Sequence, residues 1–91
     1  MKFEWDERKR TINIKKHGFD FADADELFNG YTVTMEDDRF HYNEQRFFTL
    51  GTIKGRVAVV VHTERNDKIR IISMRKATKY EQKIYFSQIP D

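Results

Sequence analysis

The sequence predicts a single α+β domain, residues 1–91, with a small antiparallel meander sheet of about four strands, two N-terminal helices packed on it and a C-terminal helix. Three observations carry this. Val57–Val61 and Ile69–Met74 are β-branched apolar runs separated by Glu64-Arg65-Asn66-Asp67, whose Asn-Asp centre tolerates the positive φ of a tight hairpin. Upstream of them lie two stretches with helix caps. Downstream, Thr78-Lys79-Tyr80-Glu81 is a capping box that opens a closing helix.

In chain order, Phe3-Glu4-Trp5 is a short aromatic strand or lead-in. Asp6 caps a helix with Glu7 in its first turn and Lys15, Lys16 and His17 in its last, a charge order that suits the helix dipole, and Gly18 ends it. Ile12 and Ile14 give this helix only a thin apolar stripe, so much of it faces water or a partner. A second helix is expected from Asp20 as cap, with Asp23 in the capping-box position, Phe21, Ala24, Leu27 and Phe28 on one face, and Asn29-Gly30 at its end. The acidic face Asp23, Asp25 and Glu26 reads as solvated. Tyr31–Met35 and roughly Glu44–Ile53 read as strands, and Lys54-Gly55 turns the second back into Val57. In the closing helix Tyr80, Ile84 and Tyr85 are expected to face inward, and Pro90 ends it.

Composition narrows the classes of function. The chain has no cysteine, which removes disulfides and thiolate zinc sites, and neither a metal nor a cofactor is expected. MKFEWDERKR lacks the apolar core of a signal peptide, and no apolar run approaches the roughly 20 residues of a membrane span, so a cytoplasmic protein without membrane contact is expected. A net charge of +2 with 35% charged residues does not by itself announce a nucleic-acid binder. The positions of the charges say more.

If Lys54-Gly55 and Asn66-Asp67 are both two-residue turns, Leu50 faces Val59, Phe48 faces Val61, Arg46 faces Thr63 and Glu44 faces Arg65. In the next ladder Val59 meets Met74, Val61 meets Ile72 and Thr63 meets Arg70. One face is then apolar for most of its length and turns polar at one end, gathering Glu44, Arg46, Thr63, Arg65 and Arg70. The opposite face would gather Gly51, Ala58, Val60, Ser73 and Arg75.

A carboxylate ringed by arginines is either a surface ion-pair network or a site for cutting a phosphodiester without metal. For the second, Glu44 would remove the proton of an RNA 2′-hydroxyl, while Arg46, Arg70 and Arg75 would clamp the phosphate as lysine cannot. His41 and His17 are rival proton carriers; His62, within a central strand, reads as a satisfied core residue.

The residues also carry a family likeness. Phe3-Glu4-Trp5-Asp6, Asn13, Lys16-His17-Gly18, Phe21, Ala24, Phe28, Glu44, Arg46, Gly51, Thr63-Glu64-Arg65, Arg70-Ile71-Ile72-Ser73, Arg75, Ala77, Glu81 and Tyr85 together resemble the BrnT family of bacterial toxins. Trp-Asp, Lys-His-Gly and Arg-Ile-Ile-Ser-x-Arg in this order form the specific part, and the likeness spans nearly the whole chain. It departs at Asn29-Gly30, where Asp-Pro is expected, and at Ala22, where an acid is common. The resemblance implies a RelE-like fold and a ribonuclease that arrests translation by cutting RNA. It further implies a BrnA-like ribbon-helix-helix antitoxin as partner, in a hetero-oligomer expected to be a heterotetramer, with operator DNA bound only through that antitoxin.

Register and resemblance converge on Glu44, Arg46, Arg70 and Arg75 as the catalytic set. Lys16 and His17 join them by motif match, with Arg65, Lys76 and Tyr80 as further RNA contacts. The alternative from another class is a non-catalytic module whose cations hold RNA or an acidic protein segment in a repressor complex. The twelve Phe and Tyr residues also exceed what one small core is expected to absorb, which points to a partner surface.

Overall fold

Both hairpin turns form as the sequence predicts. Lys54 and Gly55 (φ 51° and 78°) and Asn66 and Asp67 (φ 54° and 62°) occupy the left-handed region, the twist-matched geometry for a two-residue connection. The computed structural model describes residues 1–38 and 44–90. Its elements are β1 (Lys2–Glu4), α1 (Glu7–His17), a 3₁₀ turn (Phe21–Asp23), α2 (Ala24–Asn29), β2 (Val33–Asp37), β3 (Arg46–Ile53), β4 (Arg56–Arg65), β5 (Lys68–Lys76) and α3 (Lys79–Gln88).

The sheet has five strands in the order β1-β5-β4-β3-β2, with β1 parallel to β5 and all other pairs antiparallel. This corrects the expectation of a four-stranded antiparallel meander. The first strand is only three residues long and pairs Phe3 with Ile69 across most of the chain, a contact that local alternation does not signal.

Each face of the sheet carries its own core. On one, Phe19, Phe21, Ala24 and Leu27 pack on Ile53, Ala58, Val60, Ile71 and Met74. On the other, Tyr85 of α3 packs with Leu50, Val57, Val59 and Ala77. The helices therefore split, with α2 beneath and α3 above. Full burial of a side chain such as Leu27 contributes about 1.5–3 kcal/mol. Gly51 lets α2 approach: a Cβ there would lie 2.6 Å from Leu27 Cγ. Helix α1 lies against β5, where Asn13 Oδ1 accepts from the Met74 backbone N–H at 3.1 Å and Asn13 Nδ2 donates to the Phe19 carbonyl at 2.9 Å.

Capping follows the sequence at both ends of the chain. Asp6 accepts from the Arg8 and Lys9 amides, Gly18 closes α1 at φ 75°, and the Thr78–Glu81 capping box is complete. The second helix differs from expectation. The Asp20 carboxylate accepts from the Ala22 amide and is gripped by Arg10 at 2.7 and 2.9 Å, while the Asp23 amide donates to the Asp20 backbone carbonyl at 2.9 Å. The first turn tightens to 3₁₀, Asp23 makes no side-chain cap, and Gly30 ends α2 in an extended conformation (φ −94°) rather than a left-handed one.

Candidate functional site

The register between β3 and β4 is the predicted one, with Leu50 opposite Val59 and Phe48 opposite Val61. Between β4 and β5 it holds near the turn, where Thr63 meets Arg70, and then slips. A β-bulge opens between the Val61 and His62 pairings, so Ile72 is passed over, Val61 meets Ser73, Val60 meets Met74 and Val59 meets Arg75. The expected pairs Val59–Met74 and Val61–Ile72 are thus replaced. The slip has a consequence for chemistry. Ser73 and Arg75 leave the face of Gly51, Ala58 and Val60, where the sequence reading put them, and join the α3 face with Leu50 and Val59.

That face carries a polar row across all five strands. Asp37 pairs with Arg46, Thr63 with Arg70, and Arg70 with Glu4. One step along from the Phe47–His62 pair, the same ladder brings Arg46 alongside Thr63. Asp37 and Thr63 are buried, and the Thr63 hydroxyl makes no hydrogen bond among the described residues. Glu4 Oε1 lies 3.6 Å from Arg65 Nε and 3.9 Å from Arg70 Nη1, with all three side chains about a third to a half exposed. Pairs this long and this wet are weak and leave the guanidinium donors available to another anion. The carboxylate beside Arg65 and Arg70 is therefore Glu4, missed in the sequence because β1 was not placed beside β5.

Arg75 lies two rows away, four residues along β4 from the Arg70 pairing, roughly 13 Å at ordinary strand rise. Its guanidinium donates to both oxygens of Glu81, at 2.8 and 2.9 Å, and Glu81 Oε1 also accepts from the Thr78 amide at 2.8 Å. The Arg75 hydrogen bonds pull the Glu81 carboxyl down to about 2, so it is ionised and committed to holding α3 rather than moving protons. Between Arg75 and the polar row, half-buried Met35, Phe48 and Val61 form an apolar strip.

The remaining predicted site residues lie around this surface. Lys16 and His17, at the C-terminal end of α1, line a hollow of about 180 Å³ together with Lys9, Asn13, Ile72 and Ser73, which sets them at the β5 lip of the face. Lys76, the last residue of β5, is exposed. Tyr80 is 74% exposed, contrary to the inward position expected for it, because α3 turns Tyr85 and Ile84 to the sheet instead. Glu44 is exposed and precedes β3, so the expected pairing with Arg65 does not form; Arg65 meets Lys68 in the sheet and turns to Glu4. His41 lies outside the described residues.

His62 belongs to the opposite core. Nε2 is 2.7 Å from Thr49 Oγ1, which in turn contacts Thr34 Oγ1 at 2.9 Å, and the ring stacks on Phe47. Nδ1 has no hydrogen-bond partner among the described residues, so the expected satisfied histidine is only half satisfied. Burial pushes its pKa down to about 4, which keeps it neutral near pH 7.

Among the described residues, no cluster of three or more His, Cys, Asp or Glu side chains could hold a metal ion, and no helix is long and apolar enough to cross a membrane. No curated protein matches the chain. The family model described as the ribonuclease toxin BrnT of type II toxin-antitoxin systems matches residues 5–81, from Trp5 ahead of α1 to Glu81 in the first turn of α3, and the chain belongs to that family.

Proposed function

We propose that the α3 face is the surface on which this toxin cuts RNA, by attack of a 2′-hydroxyl on its own phosphodiester without a metal ion. Glu44 takes the 2′-hydroxyl proton as the O2′–P bond forms. The P–O5′ bond breaks, the 5′-oxygen takes a proton from solvent, and a 2′,3′-cyclic phosphate remains. Arg46 and Arg70, on the two strands that flank β4 in the polar row, hold the scissile phosphate and offset the charge gained in the transition state. Arg75, two rows on, meets a neighbouring phosphate. Lys16, His17, Arg65, Lys76 and Tyr80 hold the flanking nucleotides.

The observation that supports this best is the polar row itself, in which the buried Thr63 hydroxyl between two arginines has no partner among the described residues. Polar groups buried in that state are uncommon in proteins and are often found where a ligand binds. Family membership supplies the substrate class and a protein antitoxin. A BrnA-like ribbon-helix-helix antitoxin that covers the cations, a heterotetrameric complex, operator binding through the antitoxin, translation arrest and a cytoplasmic location complete the proposal.

Arg75 favours a second reading. Its bidentate grip on Glu81 is a structural task, and a face of cations with an exposed Glu44 at its margin would also hold RNA without cutting it. Purified toxin incubated with total RNA in chelator separates the two. Fragments ending in 2′,3′-cyclic phosphate are expected, and Glu44→Gln should slow their appearance by about 10²–10⁴-fold, the usual worth of a general base. Intact RNA that is nevertheless bound would establish the non-catalytic module.

A further inference from the structure

Apart from Tyr80, the outward surface of α3 is not used by the reaction proposed above. At about 100° per residue, Phe86, Lys79, Lys83, Ser87 and Tyr80 fall on one arc of roughly 120°. All five are exposed, Tyr80 at 74% and Phe86 at 59%. The opposite side holds Tyr85 in the core and Glu81 on Arg75. Glu81 is the only acid within α3, and its commitment inward leaves the outward arc with two lysines, two aromatic rings and no carboxylate. Neither lysine is in an ion pair among the described residues. Lys79 moreover sits at the first helical position, where the helix dipole disfavours a cation. Stability alone would place an acid or a neutral residue there.

We infer that this arc is a second RNA-binding surface, a platform for the unpaired nucleotides that flank the cleavage site. Cations that follow the phosphates, interleaved with rings on which bases stack, are the means by which single strands are held without sequence preference. Unpaired bases are required, since those in a duplex are not free to stack on a side chain. From Lys79 to Phe86 the arc runs about 10 Å along the helix axis. Its N-terminal end adjoins Arg75 through Glu81, so it continues the arginine-lined face outward. The identity of the strand as substrate rests on the proposed ribonuclease activity; the binding of single-stranded RNA to the arc does not.

The test uses a fluorescent 2′-O-methyl oligoribonucleotide of about 12 nucleotides, a length within the range such surfaces accommodate and one that lacks the attacking hydroxyl. Anisotropy titrations compare the full chain with Lys79→Glu/Lys83→Glu and with Phe86→Ala across a salt series. The double reversal is expected to weaken binding about ten-fold or more near 0.15 M salt and to lower the log–log salt slope by roughly 1.4, two single-strand phosphate contacts. Phe86→Ala should weaken binding while leaving the slope unchanged. A double variant with the affinity and slope of the parent overturns the inference, as does one whose RNA binding is intact while its protein partner is lost. A parent chain that binds the inert strand through this arc yet leaves natural RNA uncut would contradict the ribonuclease mechanism and not the platform.

Discussion

On the proposed mechanism, Thr63 and Glu81 divide between chemistry and stability. Removing the Thr63 hydroxyl leaves no polar atom stranded, so Thr63→Val should hold its melting temperature within the equivalent of about 1 kcal/mol of the parent. If the hydroxyl serves the phosphate, RNA cleavage by the same variant falls about ten-fold, a ratio read directly by assaying both proteins on one RNA. Glu81 behaves oppositely. Its folded pKa of about 2 lies below the ordinary 4.5, so the stability it contributes is fully present above pH 4.5 and is lost as pH falls from there through about 2. Allowing for partial solvent screening, about 2 kcal/mol is at stake, and melts of Glu81→Gln should lose most of that part of the acid dependence. His62, lowered to about 4 from 6.5, acts in the window above. The unfolded chain takes up a proton that the folded chain refuses, so stability declines as pH drops from 6.5 toward 4, and His62→Leu should flatten that slope in the same melts.

Elements were legible where their signals were local. Asp6, Gly18, Thr78 and Glu81 mark helix ends because a cap is a contact between neighbours in sequence, and Gly55, Asn66 and Asp67 mark the two hairpin turns because they tolerate positive φ. The bulge was not legible. Nothing in Arg70-Ile71-Ile72-Ser73 marks Ile72 as the residue to be passed over, since either register buries an isoleucine. Yet that one residue decides which face Arg75 joins, so the grouping of Arg75 with Arg46 and Arg70 had a basis in family resemblance and not in the register drawn from the sequence. Strand β1 was legible as a short aromatic strand or lead-in, but its partner was not: three residues are too few to show which strand they pair with, and Glu4 went unnoticed as a neighbour of Arg65 and Arg70. The meeting of α2 with the sheet gives a prediction at this scale. Gly51→Ala would drive a methyl to 2.6 Å from Leu27 Cγ, and a cost of about 1–3 kcal/mol should appear in denaturant melts as a lower midpoint with little change in slope.

At the scale of the molecule, the sheet buries an apolar layer on both sides and is left incompletely covered on one. The two cores take most of the aromatic residues, so the surplus expected from composition shrinks, among the described residues, to the exposed rings of Tyr31, Tyr80 and Phe86. Two of these three rings lie on the outward arc of α3. The apolar strip of Met35, Phe48 and Val61 separates α3 from the arginine row and, with them, makes one continuous face, the one proposed above to take RNA. The proposed mechanism requires cleavage to occur on that face. The most direct measurement is the single-turnover rate of RNA cleavage in chelator by the parent, Arg46→Ala and Arg70→Ala, with folding of each checked by its melt. A fall of about 10²–10³-fold is expected for each arginine at near-parental melting temperature. Cleavage at the parental rate by both folded variants would contradict it.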